Sequence, residues 1–294
     1  MPKKKRRCFL IEQLIGFDNA LLHSVQAFSF PGLDPAMQLI TFLGNPAFWI
    51  LVVAFFYWLG KENESFHLMN IIVIASIFVG ALKNIFLRPR PSPEQFRVIG
   101  YDSFETHSFP SGHATLITAN FFYVKNFIGK KAMPLFLVVA ALVAVSRVYL
   151  GMHFFSDVIA GVLLGGVLGI GYFHFTKEVK QHRLHLTKSR DAAAIIILLV
   201  VAVLLVGLFR SIPLGATLIG YYLGFFSLKE IGLHSRKLSR KKHVLKQAVG
   251  FSVLGTIFAS ALLMPVAEIL QFGLAGFWIS CLWPLIFEKV ARHE

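Results

Sequence analysis

The stretch Lys83-Asn84-Ile85-Phe86-Leu87-Arg88-Pro89-Arg90-Pro91 closes one apolar segment and opens a proline-rich loop. Two more polar clusters follow it between greasy segments. One is Pro110-Ser111-Gly112-His113; the other is Ser146-Arg147 with His153 and Asp157. Together they set the cations Lys83, Arg90 and Arg147 beside two histidines and one carboxylate, at the ends of apolar runs. A set so weighted toward positive charge needs an anion to complete it.

Composition decides where those clusters lie. The chain has 294 residues, of which 56% are hydrophobic and only 15% charged. A soluble domain carries about a quarter charged residues, and several apolar runs here reach the roughly 20 residues that cross a bilayer. The runs do not alternate as barrel strands do. The expected fold class is therefore all-α, a polytopic membrane helical bundle. The net charge of +14 does not point to nucleic acid, because most basic residues flank apolar spans in short loops. Cys8 and Cys281 form neither a disulfide framework nor a metal site.

The spans expected are 45–59 (entered from about 37), 68–87, 113–127, 133–150 and 156–175, then 192–209, 212–228, 248–263 and 266–287. Residues 1–36 read as a basic tail and an interfacial amphipathic helix over 9–30, ended by Pro31-Gly32. Glu12 and Asp18 interrupt its apolar stretch, so no cleavable signal peptide is expected. Residues 37–176 form a core holding all three clusters. Residues 177–190 are a basic linker, and 191–294 a four-span extension of unknown role. Ser111 is the expected N-cap of the third span. Gly161, Gly165 and Gly169 recur every four residues in the fifth, a spacing that lets helix backbones approach.

Lys and Arg divide unequally between the two faces these spans define, 18 on one and 4 on the other, the N-terminal tail set aside. The positive-inside rule puts the richer face in the cytoplasm. The clusters then face the periplasm, cell exterior or an organelle lumen. The tail, Lys3 to Arg7, pulls against this, since an odd number of spans places it outside. The 18-to-4 imbalance sets the side of the clusters and leaves that of the tail open.

A single cation at a helix end snorkels to the interface without further meaning. Three beside two histidines are a different matter. Guanidinium forks and lysine point charges suit phosphate oxygens. A helix opening at Pro110-Ser111-Gly112-His113 offers backbone N–H groups and a favourable dipole to an anion, and Gly112 permits close approach. His153 and Asp157, four residues apart, can share a face. The carboxylate would then fix one ring nitrogen and raise the basicity of the other, making a nucleophile or general base. His113 can supply the acid that a leaving oxygen needs.

Lys-x6-Arg-Pro, Pro-Ser-Gly-His and Ser-Arg-x5-His-x3-Asp together resemble the type 2 phosphatidic acid phosphatase (PAP2) superfamily of membrane lipid phosphatases. Lys83, Arg90 and Pro91 match the first motif, Pro110 to His113 the second, and Ser146, Arg147, His153 and Asp157 the third. The resemblance covers about residues 37–175. It implies a core of about five spans, followed here by four more. His153 would attack phosphorus to form a phosphohistidine. Asp157 would orient it, and His113 would protonate the leaving group. Lys83, Arg90, Ser111, Gly112 and Arg147 would hold the phosphate oxygens, without metal or cofactor. The implied partners are the bilayer and a lipid substrate of the undecaprenyl diphosphate, phosphatidylglycerophosphate or phosphatidate type. The implied place is the bacterial inner membrane. Phosphotransfer to another lipid through the same intermediate, or lipid transport, are the competing readings.

Other features read more blandly. His174, His182 and His185 lie near the basic linker with no Cys or carboxylate at ligand spacing. The basic run 229–246 serves as a topology determinant, with anionic headgroups a further possible partner. Glu268 follows Pro265 in apolar surroundings.

The side assignment has a direct check. A single cysteine placed at residue 100 should react with an impermeant thiol reagent added outside intact cells. Labelling only from the cytoplasmic side would reverse the assignment.

Overall fold

The computed structural model describes residues 3–100, 107–125, 131, 133–181, 212–231, 238–263 and 268–290. The expected span 192–209, Arg210, His182, His185 and the Met264-Pro265 break lie outside the described residues. Every regular element described is helical. In chain order they are α1 (Lys3–Gln26), α2 (Asp34–Phe42), α3 (Pro46–Trp58), α4 (Glu62–Phe86), α5 (Gly112–Val124), α6 (Met133–Tyr149) and α7 (Phe155–Gln181). Then come α8 (Ile212–Ile231), α9 (Arg240–Leu263), α10 (Glu268–Phe277), a π-helical turn (Trp278–Leu282) and α11 (Trp283–Val290).

By length and composition, α4, the first 23 residues of α7 and the stretch Ile269–Val290 can each cross a membrane. A fourth span results if α2 and α3 count as one broken helix. The helix at the expected third span, α5, has 13 residues, and α6 has 17. At 1.5 Å per residue neither equals the hydrocarbon thickness of roughly 30 Å.

The chain folds as two compact units. The first comprises Met1–Trp49 and Ile71–Gln181; the second comprises Ile50–Asn70 and His182–Glu294. The break after Gln181 falls within the basic linker read from the sequence. The placement of residues 50–70 with the C-terminal part has no signal in composition.

In the first unit, α5 and α7 lie against each other with almost no space between. A Cβ on Gly161, Gly165 or Gly169 would sit 2.6, 2.4 and 2.4 Å from the carbonyl oxygens of Ser111, Thr115 and Ala119 respectively. The four-residue glycine spacing is thus the track along which α5 runs. Leu22, Phe96, Ala114, Val148 and Val158, from α1, the 88–110 loop, α5, α6 and α7, close one core cluster.

The long loop after α4 is tied down at several points. Leu87, at φ +47°, ends α4, and Pro89 and Pro91 keep the chain extended. Gln26 Nε2 donates to the Arg97 carbonyl at 2.6 Å, while Arg97 N donates to Gln26 Oε1 at 3.1 Å. The Arg97 guanidinium forks onto the Asp34 carboxylate, which also accepts from the Tyr149 hydroxyl. Ile99 N donates to Leu150 O at 2.9 Å. Gly151, at φ +68°, turns the chain from α6 towards α7. A Cβ there would lie 2.2 Å from Arg97 O, so only glycine fits.

The second unit uses the same device. Cβ atoms on Gly220 and Gly276 would fall 1.9 and 2.0 Å from the carbonyl oxygens of Gly273 and Thr217, which sets α8 against α10. Indole N–H groups pin other helices: Trp58 donates to Ile279 O at 2.9 Å and Trp283 to Lys246 O at 2.8 Å. One expectation is corrected here. The run 229–246 reads as a basic loop, yet α9 begins at Arg240 and Lys246 is 1% exposed. Lys and Arg are good helix formers. Lys246 turns its stem inward, its Nζ lying 5.3 Å from the Phe287 ring centroid.

The helix contact can be probed at two glycines of α7. Gly165→Ala should lower the unfolding free energy in detergent by about 1–3 kcal/mol, because the methyl meets backbone. Gly171, with nothing within 4 Å of its would-be Cβ, should accept alanine at no loss or with a gain of up to about 1 kcal/mol. Equal responses at the two positions would refute the close approach.

Candidate active site

Four helix ends and one loop build the site. Lys83 comes from the last turn of α4, Arg88 and Arg90 from the loop that follows, and Ser111 to His113 from the start of α5. Arg147 sits in the last turn of α6. His153 occupies the short connection to α7, and Asp157 its first turn. A helix end carries unpaired N–H or C=O groups and must meet polar surroundings, so the places where apolar spans stop are where charged side chains can gather.

Most of these side chains are buried. His153, Asp157 and Ser111 are fully buried, and Arg147, His113 and Lys83 nearly so. Arg90 and Gly112 are half-buried. His153 Nδ1 faces Asp157 Oδ2 at 3.6 Å. The i,i+4 relation holds although His153 precedes the helix, because its N–H and that of Met152 both donate to Arg147 O at the end of α6. With Nδ1 turned to the carboxylate, Nε2 is the nitrogen left for chemistry.

Positive charge converges on this ring. Burial, first, holds the His153 imidazole well below its usual range; the charges of Arg147, Lys83, Arg90 and His113 add to that in descending order. The ring is consequently neutral at neutral pH, the state in which it can attack. The cations are themselves oriented. Lys83 Nζ donates to His107 O, Arg90 Nη1 to Met152 O at 2.7 Å, and Arg147 Nη1 to Thr41 Oγ1 at 3.0 Å.

Ser111 stands at its expected place, the N-cap of α5, in an extended conformation but without the side-chain bond of a usual cap. Its N–H donates to Asp157 O at 3.0 Å, locking the α5 start to the first turn of α7. Its Oγ is buried and, among the described residues, has no hydrogen-bond partner. A buried hydroxyl without a partner is unfavourable unless a ligand meets it.

Sequence reasoning missed two residues. Arg88, which entered only as a loop cation, extends its guanidinium to two carboxylates. Nη1 donates to Asp157 Oδ1 at 2.7 Å and Ser156 Oγ at 2.6 Å; Nη2 donates to Asp18 Oδ2 at 2.6 Å. Its plane lies over the Phe154 ring, 4.5 Å from the centroid. Asp18, on α1, is fully buried and also accepts from Ser156 N at 2.9 Å and from Ser156 Oγ. A signal was present: a carboxylate in an apolar stretch needs a partner, and Asp18 had none nearby in sequence. Among the described residues the site thus gathers four cations, Lys83, Arg88, Arg90 and Arg147, with two carboxylates, Asp18 and Asp157. A doubly charged anion such as a phosphate would balance that set.

The fold and site define a helical integral-membrane protein with a buried cluster of cations around His153 and Asp157. The comparisons agree. The family model described as PAP2 superfamily matches residues 64–181, a segment that includes every motif residue from Lys83 to Asp157. A phosphatidylglycerophosphatase B of Bacillus subtilis is 29% identical over 182 residues, 56% of this chain and 86% of that protein. A dihydrosphingosine 1-phosphate phosphatase of Schizosaccharomyces pombe is 29% identical over 175 residues, 55% of this chain but only 43% of that one. The crystal structure of a transmembrane PAP2-type phosphatidylglycerolphosphate phosphatase from Bacillus subtilis superposes with a TM-score of 0.51 at 27% identity. It covers 58% of this chain and 90% of that one. The likeness to the PAP2 superfamily thus lies in residues 64–181, the segment that carries the site.

If the Ser111 hydroxyl serves a ligand and not the fold, Ser111→Ala should leave stability within about 0.5 kcal/mol of wild type. The same variant should weaken inorganic phosphate binding, measured as phosphate-dependent thermal stabilisation. A stability loss above about 1 kcal/mol would show a structural bond instead.

Proposed function

We propose that the chain is an integral-membrane phosphatase that hydrolyses a phosphomonoester or diphosphate of a membrane lipid. The observation that carries this reading is the buried His153, 3.6 Å from the Asp157 carboxylate and acted on by the charges of Arg147, Lys83 and Arg90. The relatives named above are phosphatases of lipid phosphates, which supports the same class.

In this reading Lys83, Arg90 and Arg147 hold the phosphate oxygens together with Ser111 Oγ and the backbone at Gly112. His153 Nε2 attacks phosphorus in line with the scissile P–O bond. As the N–P bond forms and the P–O bond breaks, His113 gives its proton to the departing lipid oxygen. Asp157 balances the positive charge that develops on the His153 ring. A water molecule then attacks the phosphohistidine, His113 takes its proton, and inorganic phosphate leaves with His153 restored. The cations supply the electrostatic stabilisation of the transferring group.

The substrate is a lipid of the phosphatidylglycerophosphate, undecaprenyl diphosphate or phosphatidate type. Its headgroup enters from the periplasmic or outer face of a bacterial inner membrane, the face that the distribution of Lys and Arg assigns to the clusters. The core of residues 37–176 does the chemistry, and residues 191–294 form an additional membrane part.

The test is phosphate release by the detergent-purified full chain from those three lipids, in the presence of a chelator. His153→Ala should abolish release, and His113→Ala should reduce it by about 10²–10⁴-fold, the usual contribution of a general acid. Release unaffected by His153→Ala would refute the mechanism. Transfer of the phosphoryl group to an added lipid acceptor, in place of water, would make the protein a phosphotransferase.

A further inference from the structure

Two demands compete at Asp157. It must stay ionised and fixed while fully buried, which calls for a cation. It must also keep electron density free for the His153 ring, which a dedicated cation would withdraw. Arg88 meets the first demand through Nη1 on Asp157 Oδ1. The second is met from outside the family segment, by a carboxylate on the N-terminal helix: Nη2 of the same guanidinium is taken by Asp18.

We propose that Asp18 is a positioning residue for catalysis, acting through Arg88 and Ser156 on Asp157 and thereby on His153. The inference rests on the phosphatase reading above. Asp18 works in two ways. Its Oδ2 shares the charge of Arg88, so that the guanidinium clamps Asp157 without neutralising it. Its Oδ1 accepts from Ser156 N at 2.9 Å, where the first turn of α7 has unsatisfied N–H groups. The Ser156 hydroxyl links the same two side chains, accepting from Arg88 Nη1 and donating to Asp18 Oδ2. The rotamer of Asp157 is held on its other oxygen by Phe154 N at 2.9 Å. Asp157 is thus oriented by Arg88, which Asp18 holds, by Phe154 N just before α7, and by the Ser108 side chain.

A charge argument gives the sign of the effect. The charged and titratable groups acting on His153 are Lys83 from α4, Arg90 from the loop, His113 from α5, Arg147 from α6 and Asp157 from α7, with Arg88 bonded to Asp157 and Asp18 bonded to Arg88. Removing the negative charge of Asp18 leaves Arg88 with Asp157 alone of its two carboxylates and raises the positive potential near the imidazole. His153 then takes up a proton less readily, and the carboxylate draws closer to Arg88 and away from Nδ1.

The experiment is a kcat and KM measurement against pH with the full-length protein in detergent. The substrate is whichever of phosphatidate, phosphatidylglycerophosphate or undecaprenyl diphosphate the wild type cleaves fastest. Asp18→Asn should lower kcat about tenfold to a hundredfold, the scale set by a small misplacement of a reacting group. KM should stay within about twofold, since the phosphate ligands are untouched, and the acid limb of kcat/KM should move to lower pH. Asp18→Glu should recover part of the loss. Ser24→Ala, on the exposed side of the same helix, should behave as wild type. If Asp18→Asn does not accumulate folded, Arg88→Lys carries the test: it keeps the charge but cannot fork to both carboxylates, and should give the same kcat loss at unchanged KM. Wild-type kcat in the variant carrying the test overturns the inference, as does a loss of kcat accompanied by a matching rise in KM and, for Asp18→Asn, an unmoved acid limb. A wild type that releases no phosphate from any of the three lipids overturns the phosphatase reading, and this inference with it.

Discussion

The Arg88 guanidinium, held between Asp18 and Asp157, is the interaction on which the site depends. A buried ion pair is costly to assemble and costlier to break, since removing one partner leaves an uncompensated charge worth about 3–5 kcal/mol. Here one planar fork serves two buried carboxylates at 2.6–2.7 Å and stacks on Phe154. A lysine in its place could not satisfy both. The arrangement joins α1, the loop after α4 and the first turn of α7 through one side chain. It also consumes part of the negative charge that the other cations would otherwise meet within the protein.

What remains is a site biased toward an anion. Lys83 and Arg147 are nearly inaccessible at the ends of helices, where charge without an anionic ligand is unfavourable. The same burial keeps His153 deprotonated, since desolvation and positive charge act in the same direction on an imidazole. In the reaction proposed, one environment would thus serve both halves: the cations would hold phosphate, and burial would leave the His153 nucleophile neutral. The glycine track of α7 contributes by bringing α5 so close that Ser111 N reaches Asp157 O. Helix packing and site geometry are consequently the same constraint, expressed one turn apart.

The second unit is built with equal care. Glycines on α8 and α10 allow backbone contact, indole N–H groups reach across to carbonyls, and Ser65 Oγ and the Tyr221 hydroxyl meet at 2.9 Å in a buried position. Lys246 and Glu288 are both buried in it, an arrangement that a hydrophobic run would not supply.

The chain's order of amino acids alone determined the helical membrane class, the three polar clusters, and the residues of the family motifs. These are local properties: hydropathy is summed over a window, and each motif keeps its residues a few positions apart. The glycine spacing was legible for the same reason. The partner of Asp18 was not, because 70 residues separate it from Arg88 and 139 from Asp157 in the numbering, and a carboxylate in an apolar helix reads the same whether it faces lipid, water or a guanidinium. Nor was the failure of Ser111 to cap its own helix, which depends on where a hydroxyl points and not on which residue bears it. The three clusters still mark the site, but it is the packing of α1 against α6 and α7 that brings in the second carboxylate and decides how His153 and Asp157 are held. Long-range ion pairs form only after the helices that carry them have packed, so their identity belongs to the tertiary structure.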